Sequence, residues 1–428
     1  MLFTNIDVLR ADGTLLPGRT VAVRDGRIVY IGKSVPTADW GEVVAGKDRL
    51  LMPGFYNTHT HAAMTLLRGY GEDLPLDRWL RERIFPMEAK MTGDDVYWGA
   101  MLAIAEMLST GTVSFSDMYF YEDRVAQAVL STGIKANVAY SISGTDDGQP
   151  PQRLRGYQET RGLLEALQQL KTSRLRVDVA PHSEYTTTPR LLSALAELSE
   201  AYGTRVQTHL SETQEEQLAC VERHGKTPAA VMRDAGLLDR PVTAAHCVWL
   251  TESDREILAE HGVTVAHCPQ SNLKLGSGIA PVEAMSRQGI PVALGTDSAA
   301  SNNNLNLLEE LRTAALLARG ISRDPCALPA GQALYMATRA GALAQGREDC
   351  GDIAVGYRAD LLVLNQRAPS MTPKHDALAN AVFSAGSDAL EMTVVDGNVL
   401  YREGEFPTLD LERVRYRVHR CVKALLAR

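Results

Sequence analysis

Along residues 54–345, short apolar runs alternate with longer stretches in which apolar residues recur every third or fourth position. The first pattern is that of strands and the second that of amphipathic helices. Strands are predicted at 54–57, 112–116, 134–140, 175–180, 205–208, 242–245, 263–266 and 290–294. Helices are predicted between them, at 94–109, 124–131, 154–170, 189–201, 252–261 and 304–317. Eight strands alternating with helices make a parallel, wrapped sheet, and eight is the number that closes a (β/α)8 barrel.

The two ends read differently. Residues 1–52 carry strand patterns only, with Asp25-Gly26 as a two-residue hairpin signal between β-rich runs. Strand–turn–strand patterns return after about residue 345, at 351–364 and 392–400, and an amphipathic helix over 409–426 closes the chain. The expected organisation is α/β: a TIM-like (β/α)8 barrel over residues 53–349, carrying a composite β-sandwich domain built from residues 1–52 and 350–428.

Composition narrows the function class. Of 428 residues, 45% are hydrophobic and 22% charged, which is the balance of a soluble globular protein. The net charge of −8 comes without a basic run, so nucleic-acid and membrane-surface binding are excluded. No stretch approaches the ~20 apolar residues of a membrane span. The first residues lack a basic region and a long apolar run, so no signal peptide is expected. Six scattered cysteines predict free thiols and a reducing, cytoplasmic setting.

In a barrel of this kind, reactive groups sit at the C-terminal ends of strands. The first strand ends in Pro53-Gly54-Phe55-Tyr56-Asn57-Thr58-His59-Thr60-His61. Residues two apart on a strand face the same way, so His59 and His61 aim into one space. His182, His209 and His246 end or follow later apolar runs, and Asp297 follows the last. Any one of them alone reads as a satisfied core histidine or a capping aspartate. Their coincidence at strand ends reads as a metal site. His59, His61, His209 and Asp297 offer nitrogen and oxygen donors suited to zinc, with ferrous iron as the alternative. Such a cation lowers the pKa of a water it binds to about 7. Asp297 can then both touch the cation and accept the water's proton. Glu212, three residues past His209, is placed for proton transfer to a substrate, and it also suits a helix N-terminus. His246 is placed to hold the attacking water, while Cys247 points away as a small buried residue. No Gly-x-Ser-x-Gly, P-loop or dinucleotide fingerprint accompanies these groups.

These residues resemble the amidohydrolase superfamily: the Asn-Thr-His-Thr-His run, His209-Leu210-Ser211-Glu212, the strand-six histidine and Gly295-Thr296-Asp297. More narrowly, the chain is similar to the 5′-methylthioadenosine/S-adenosylhomocysteine deaminases. That likeness rests on the stretches 61–69, 74–80 and 85–88, together with Pro269-Gln270-Ser271-Asn272-Leu273-Lys274-Leu275 and the run 299–305. The resemblance implies His59, His61, His209 and Asp297 as ligands of one zinc per subunit. It implies Glu88 and His182 as substrate contacts, and Glu212 and Asp297 as proton-transfer groups that also face the substrate. Glu88, which alone reads as a solvated helix-start residue, would bind the ribose diol. Trp79 would belong to an apolar wall over the ligand, while Arg153 reads as a surface arginine. Ser298, Trp249, Cys268 and the segment from Tyr185 depart from the family pattern and bear on substrate preference. The implied reaction is hydrolytic deamination of an adenine nucleoside by a homo-oligomer. The alternative is attack on another nucleoside or a free heterocycle, such as adenosine, 5′-deoxyadenosine, guanine, cytosine or a triazine. A metal-free barrel serving as a binding protein would be expected to have lost ligands that this chain keeps.

Overall fold

The computed structural model describes residues 1–145, 148–170 and 172–428. Its N-terminal segment is five strands: β1 (Leu2–Leu9), β2 (Leu15–Arg24), β3 (Arg27–Gly32), β4 (Val43–Ala45) and β5 (Arg49–Pro53). The Asp25-Gly26 turn forms as predicted, with φ of 53° and 74°, the left-handed pair that a tight hairpin requires. A Cβ at Gly26 would come within 3.1 Å of the Asp396 carbonyl, so the hairpin tip abuts the C-terminal segment.

Nine further strand pieces follow: β6 (Phe55–Thr60), β7 (Thr112–Tyr119), β8 (Lys135–Ile142), β9 (Leu175–Val177), β10 (Ala180–Pro181), β11 (Val206–Leu210), β12 (Val242–His246), β13 (Thr264–His267) and β14 (Val292–Leu294). They form two arcs of parallel sheet, one ordered β10-β8-β7-β6 with β9 beside β8, the other β11-β12-β13-β14. All eight residues of β7 are buried, as expected of a parallel strand covered on both faces. Hydrogen bonds join the arcs at both seams. At one, Gln207 N donates to Val179 O at 3.0 Å and His209 N to His182 O at 2.9 Å. At the other, Asp297 N donates to His59 O at 3.0 Å and Thr58 Oγ1 to Leu294 O at 2.8 Å.

The single strand predicted at 175–180 is broken in two. Asp178 N still bonds Val138 O, but Val179 N turns to Arg205 O, so the strand changes partner there. The buried Asp178 carboxylate accepts from Asn137 Nδ2 and Gln207 Nε2, both at 3.0 Å, which holds the break. The helix predicted from 304 begins later and spans Leu307–Ser322, because the Asn306 side chain caps it by accepting from Leu308 N. Capping boxes start the helices Gly93–Ser109 (Thr92 with Asp95) and Glu252–Glu260 (Thr251 with Asp254).

The chain then adds β15 (Leu361–Asn365), β16 (Leu390–Val395) and β17 (Asn398–Arg402) and ends in the helix Leu411–Ala427. Both ends of the chain share one eight-stranded sheet, ordered β17-β16-β15-β5-β1-β2-β3 with β4 beside β1. Its separate apolar core includes Phe3, Ile6, Val21, Ile28, Leu361 and Val394. Only Gly54 separates β5 from β6, and a Cβ there would strike the Val113 side chain at 2.3 Å, so sheet and arcs meet closely. A buried cation ties them. Lys135 Nζ on β8 lies 2.6 Å from Asp360 Oδ2 and 2.8 Å from Asp396 Oδ1, and the Tyr56 hydroxyl on β6 donates to the same Asp360 oxygen.

Candidate active site

His59, His61, His182, His209, His246 and Asp297 stand at or just beyond the C-terminal ends of parallel strands, and the structure brings them together. Donor atoms of His59, His61 and Asp297 lie within 4.8 Å of one another, as do those of His59, His209 and His246. Asp297 Oδ1 is 3.3 Å from His61 Nε2 and 3.6 Å from His59 Nε2. His61 Nδ1 donates to the Met118 carbonyl at 2.5 Å and His209 Nδ1 to the His182 carbonyl at 2.8 Å. Those bonds select the tautomers that leave both Nε2 atoms with lone pairs, and these face each other at 3.3 Å. His59 Nε2 is buried with no hydrogen-bond partner among the described residues. Converging lone pairs, an orphaned imidazole nitrogen and a carboxylate oxygen fit one borderline divalent cation. The Asp297 carboxylate is oriented for this. Its Oδ2 accepts from Ser271 Oγ at 2.6 Å and Ser301 Oγ at 2.7 Å, which leaves Oδ1 toward the histidines.

Burial and neighbouring imidazoles hold His59 and His209 well below the usual histidine pKa, so both are neutral donors. His182 is pushed down to about 4 by burial and by His61. Its Nδ1 engages Ser183 Oγ at 3.1 Å and Thr186 Oγ1 at 3.0 Å. Burial would raise the Asp297 carboxyl, but His61, His246 and His59 outweigh it and keep the group ionised. Glu212 behaves oppositely: burial raises its pKa, and Asp297 adds to the rise. Burial would lower His246, yet Glu212 and Asp297 lift it above the ordinary value. His246 Nε2 lies 3.8 Å from Glu212 Oε2, and its Nδ1 pairs with Asn272 Oδ1 at 2.8 Å. The site thus sets a carboxylate held low by imidazoles beside a carboxyl that burial raises, a division suited to acid–base work.

The cavity above these groups is lined by His61, Glu88, His182, Glu212, His246 and Asp297 on its polar side. Met64, Leu76, Trp79, Leu80, Ile84 and Met118 form much of its apolar wall. Trp79 is therefore in the wall, and Glu88 projects into the cavity from the end of the helix Phe85–Glu88. Burial raises the Glu88 carboxyl, and the neighbouring Tyr119 hydroxyl partly offsets the rise. Arg153 is exposed, donates to Gln149 Oε1 at 3.2 Å and is outside the cavity lining. Ser298 lines the cavity, and its hydroxyl organises the turn that presents Ser301 to Asp297. Trp249 is outside the lining, but its indole N–H donates to Ser277 O at 2.7 Å, and Ser277 Oγ donates to Glu212 Oε1 at 3.3 Å. Cys268 is fully buried, with its sulfur directed at the Ala266 carbonyl.

Several contributors escape sequence reasoning. Glu216 accepts from the backbone N–H groups of Ser211 and Glu212, each at 2.8 Å, and so fixes the turn that carries Glu212. Asp117 accepts from Ala62 N at 2.7 Å and Thr60 Oγ1 at 2.9 Å, which holds the chain on either side of His61. The Thr213-x-x-Glu216 spacing of a helix start was the available signal for Glu216; none marks Asp117.

A model of the amidohydrolase family matches residues 50–400, and the chain belongs to that family. It is 44% identical to the 5-methylthioadenosine/S-adenosylhomocysteine deaminase of Dictyoglomus thermophilum over 374 residues, which cover 87% of each chain. It is 40% identical to the 5′-deoxyadenosine deaminase of Methanothermobacter thermautotrophicus, over 96% of this chain and 95% of that one. Among solved structures, the adenosine deaminase of Xanthomonas campestris with bound zinc superposes with a TM-score of 0.92 at 34% identity, covering 100% of this chain and 98% of that one.

Proposed function

We propose that this protein is a zinc-dependent hydrolase that removes the 6-amino group of adenine nucleosides, with 5′-methylthioadenosine and S-adenosylhomocysteine as its substrate type. The two hydrogen-bonded arcs are taken as one closed (β/α)8 barrel over residues 53–349. The sheet shared by residues 1–52 and 350–428 is taken as a composite β domain docked on it. His59, His61, His209 and Asp297 would hold the metal, which when bound supplies Lewis acidity and a water ionisable near neutral pH. The observation that carries the reading is the meeting of Glu212, its carboxyl raised by burial, with Asp297, held low by the histidines, at the floor of a cavity that also contains Glu88.

The protein's own groups then divide the work. Glu212 donates its proton to a ring nitrogen and so makes C6 electrophilic. Asp297 takes the proton of the water that attacks C6, and His246, steadied by Asn272, holds that water in line. The proton held by Asp297 passes to the amino group, which leaves as ammonia, while the C6 hydroxyl gives its proton back to Glu212, and the ring becomes a hypoxanthine. His182, neutral down to about pH 4, remains a hydrogen-bond partner for the ring throughout. Glu88 accepts from the ribose diol, a contact a free base cannot make. No helix among the described residues is long and apolar enough to cross a membrane. The six cysteines are free, which suits the cytoplasm. Leu316 and Ile321, 53% and 54% exposed on the helix Leu307–Ser322, are side chains that a homo-oligomer contact would cover.

Ammonia release by zinc-loaded protein tests the reading on adenine nucleosides, guanine and cytosine. Turnover of the nucleosides is expected, and Glu212→Gln should retain zinc while losing roughly 10²–10⁴-fold in rate. Turnover of free bases alone would sink the nucleoside assignment, and a near-normal rate for Glu212→Gln would sink the acid.

A further inference from the structure

Large apolar side chains left exposed in a patch mark a surface that something covers. Phe85, Phe120 and Tyr185 are 43%, 41% and 40% exposed, and all three line the cavity described above. The reactive floor is buried, with Asp297 and Glu212 at 6% and 7% exposure, so these rings form the outer end. Trp79, Leu76 and Leu80 continue the apolar wall between them and the floor.

Charge is distributed unevenly around the same cavity. Among the described residues no lysine or arginine lines it, whereas Glu88, Glu212 and Asp297 all do. In the wall segment, Arg81 Nε lies 2.6 Å from Asp77 and Arg78 Nε 2.7 Å from Glu82, while Arg83 is exposed, and all three are outside the cavity lining. The neutral donors available are hydroxyls such as those of Ser141, Ser143 and Thr186.

We propose that this outer aromatic end selects adenine nucleosides whose 5′ carbon bears a neutral, apolar group, such as a methylthio substituent or hydrogen, and discriminates against a zwitterionic amino-acid tail. The inference rests on the deaminase reading and specifies its substrate. With C6 at the floor and the ribose diol at Glu88, the 5′ substituent falls on the outer wall. A methylthio group there covers exposed rings, and its sulfur packs well against aromatic edges. A carboxylate there exchanges water for hydroxyl donors only, and among the described residues no lysine or arginine of the lining offsets the loss.

The test is kcat/KM of the zinc-loaded protein for 5′-methylthioadenosine, 5′-deoxyadenosine and S-adenosylhomocysteine, with calorimetric binding of methylthioinosine and S-inosylhomocysteine as a readout independent of turnover. The two neutral substrates should exceed S-adenosylhomocysteine by about tenfold or more, and methylthioinosine should bind more tightly than S-inosylhomocysteine by a similar factor. Phe120→Ala should reduce the methylthioadenosine-to-S-adenosylhomocysteine ratio by about fivefold. Smaller preferences, or a ratio unmoved by Phe120→Ala, overturn the proposal while leaving deamination intact. Absence of turnover on every nucleoside overturns the deaminase reading and this inference with it.

Discussion

Asp297 is steered by hydroxyls rather than by a lysine or arginine. Ser271 and Ser301 both donate to Oδ2, so the oxygen facing His59 and His61 is chosen by two neutral donors. A hydrogen bond to a buried carboxylate is worth about 1.5–3 kcal/mol. Ser271→Ala should therefore weaken zinc binding and slow turnover, each by about tenfold. Chelator competition and kcat measure the two separately, and unchanged values in both would reduce Ser271 to packing. His59 and His61 were legible because a two-residue spacing has one meaning on a strand, and His209 and Asp297 because a polar residue ending an apolar run is conspicuous. Ser271, Ser277 and Asn272 were not, since small polar side chains occur throughout the chain and their partners here come from other loops. Trp249 shows the same limit. It departs from the family pattern, but its link to Glu212 through Ser277 exists only in three dimensions.

At the scale of elements, the strand ends turn sharply. Ser211, His246, Cys247 and Asp297 all have positive φ, between 49° and 71°, an uncommon conformation for side-chain-bearing residues that clusters at functional sites. Alternation and periodicity predicted the strands but not these turns, nor the partner exchange that splits β9 from β10. The helix Gln214–His224 stabilises one such turn through Glu216, whose two backbone acceptor contacts substitute for a continuing sheet. Burial raises the Glu216 carboxyl from 4.5 to about 7. The folded chain thus keeps this proton in a range where the unfolded chain has released it. The associated stability is complete below about pH 4.5 and is lost as pH rises to about 7. Linkage puts the loss at roughly 3 kcal/mol. Denaturation of metal-free wild type and Glu216→Gln at pH 4.5 and 7.5 isolates the contribution. The wild type should lose up to that amount relative to the variant, and parallel profiles would refute the assignment.

For the whole molecule, the return of strand patterns near residue 345 was enough to foresee that the chain's two ends share a sheet. The means of attachment was not foreseeable, because a lysine within the apolar run 134–140 reads as an interruption of the strand rather than its anchor. Lys135 is 1% exposed. Burial would strip its proton, but Asp360, the Cys350 thiol and Asp396 outweigh burial and raise its pKa. Asp360 responds in the opposite sense: burial would raise it, and Lys135 pulls it below the usual carboxylate value. The pair is thus ionised and linked to β6 through Tyr56, so the arcs that hold the histidines and the sheet formed by the chain ends share one buried charge network. Removing one partner of such a pair leaves the other charge uncompensated, which costs about 3–5 kcal/mol, whereas neutralising both costs less. Lys135→Met should therefore destabilise the protein by that amount in urea denaturation, and adding Asp360→Asn should recover part of the loss. If Lys135→Met costs under about 1 kcal/mol, or the double variant is no better than the single, then apolar packing around Gly54 and Val113 holds sheet and arcs together, and the buried charges are bystanders.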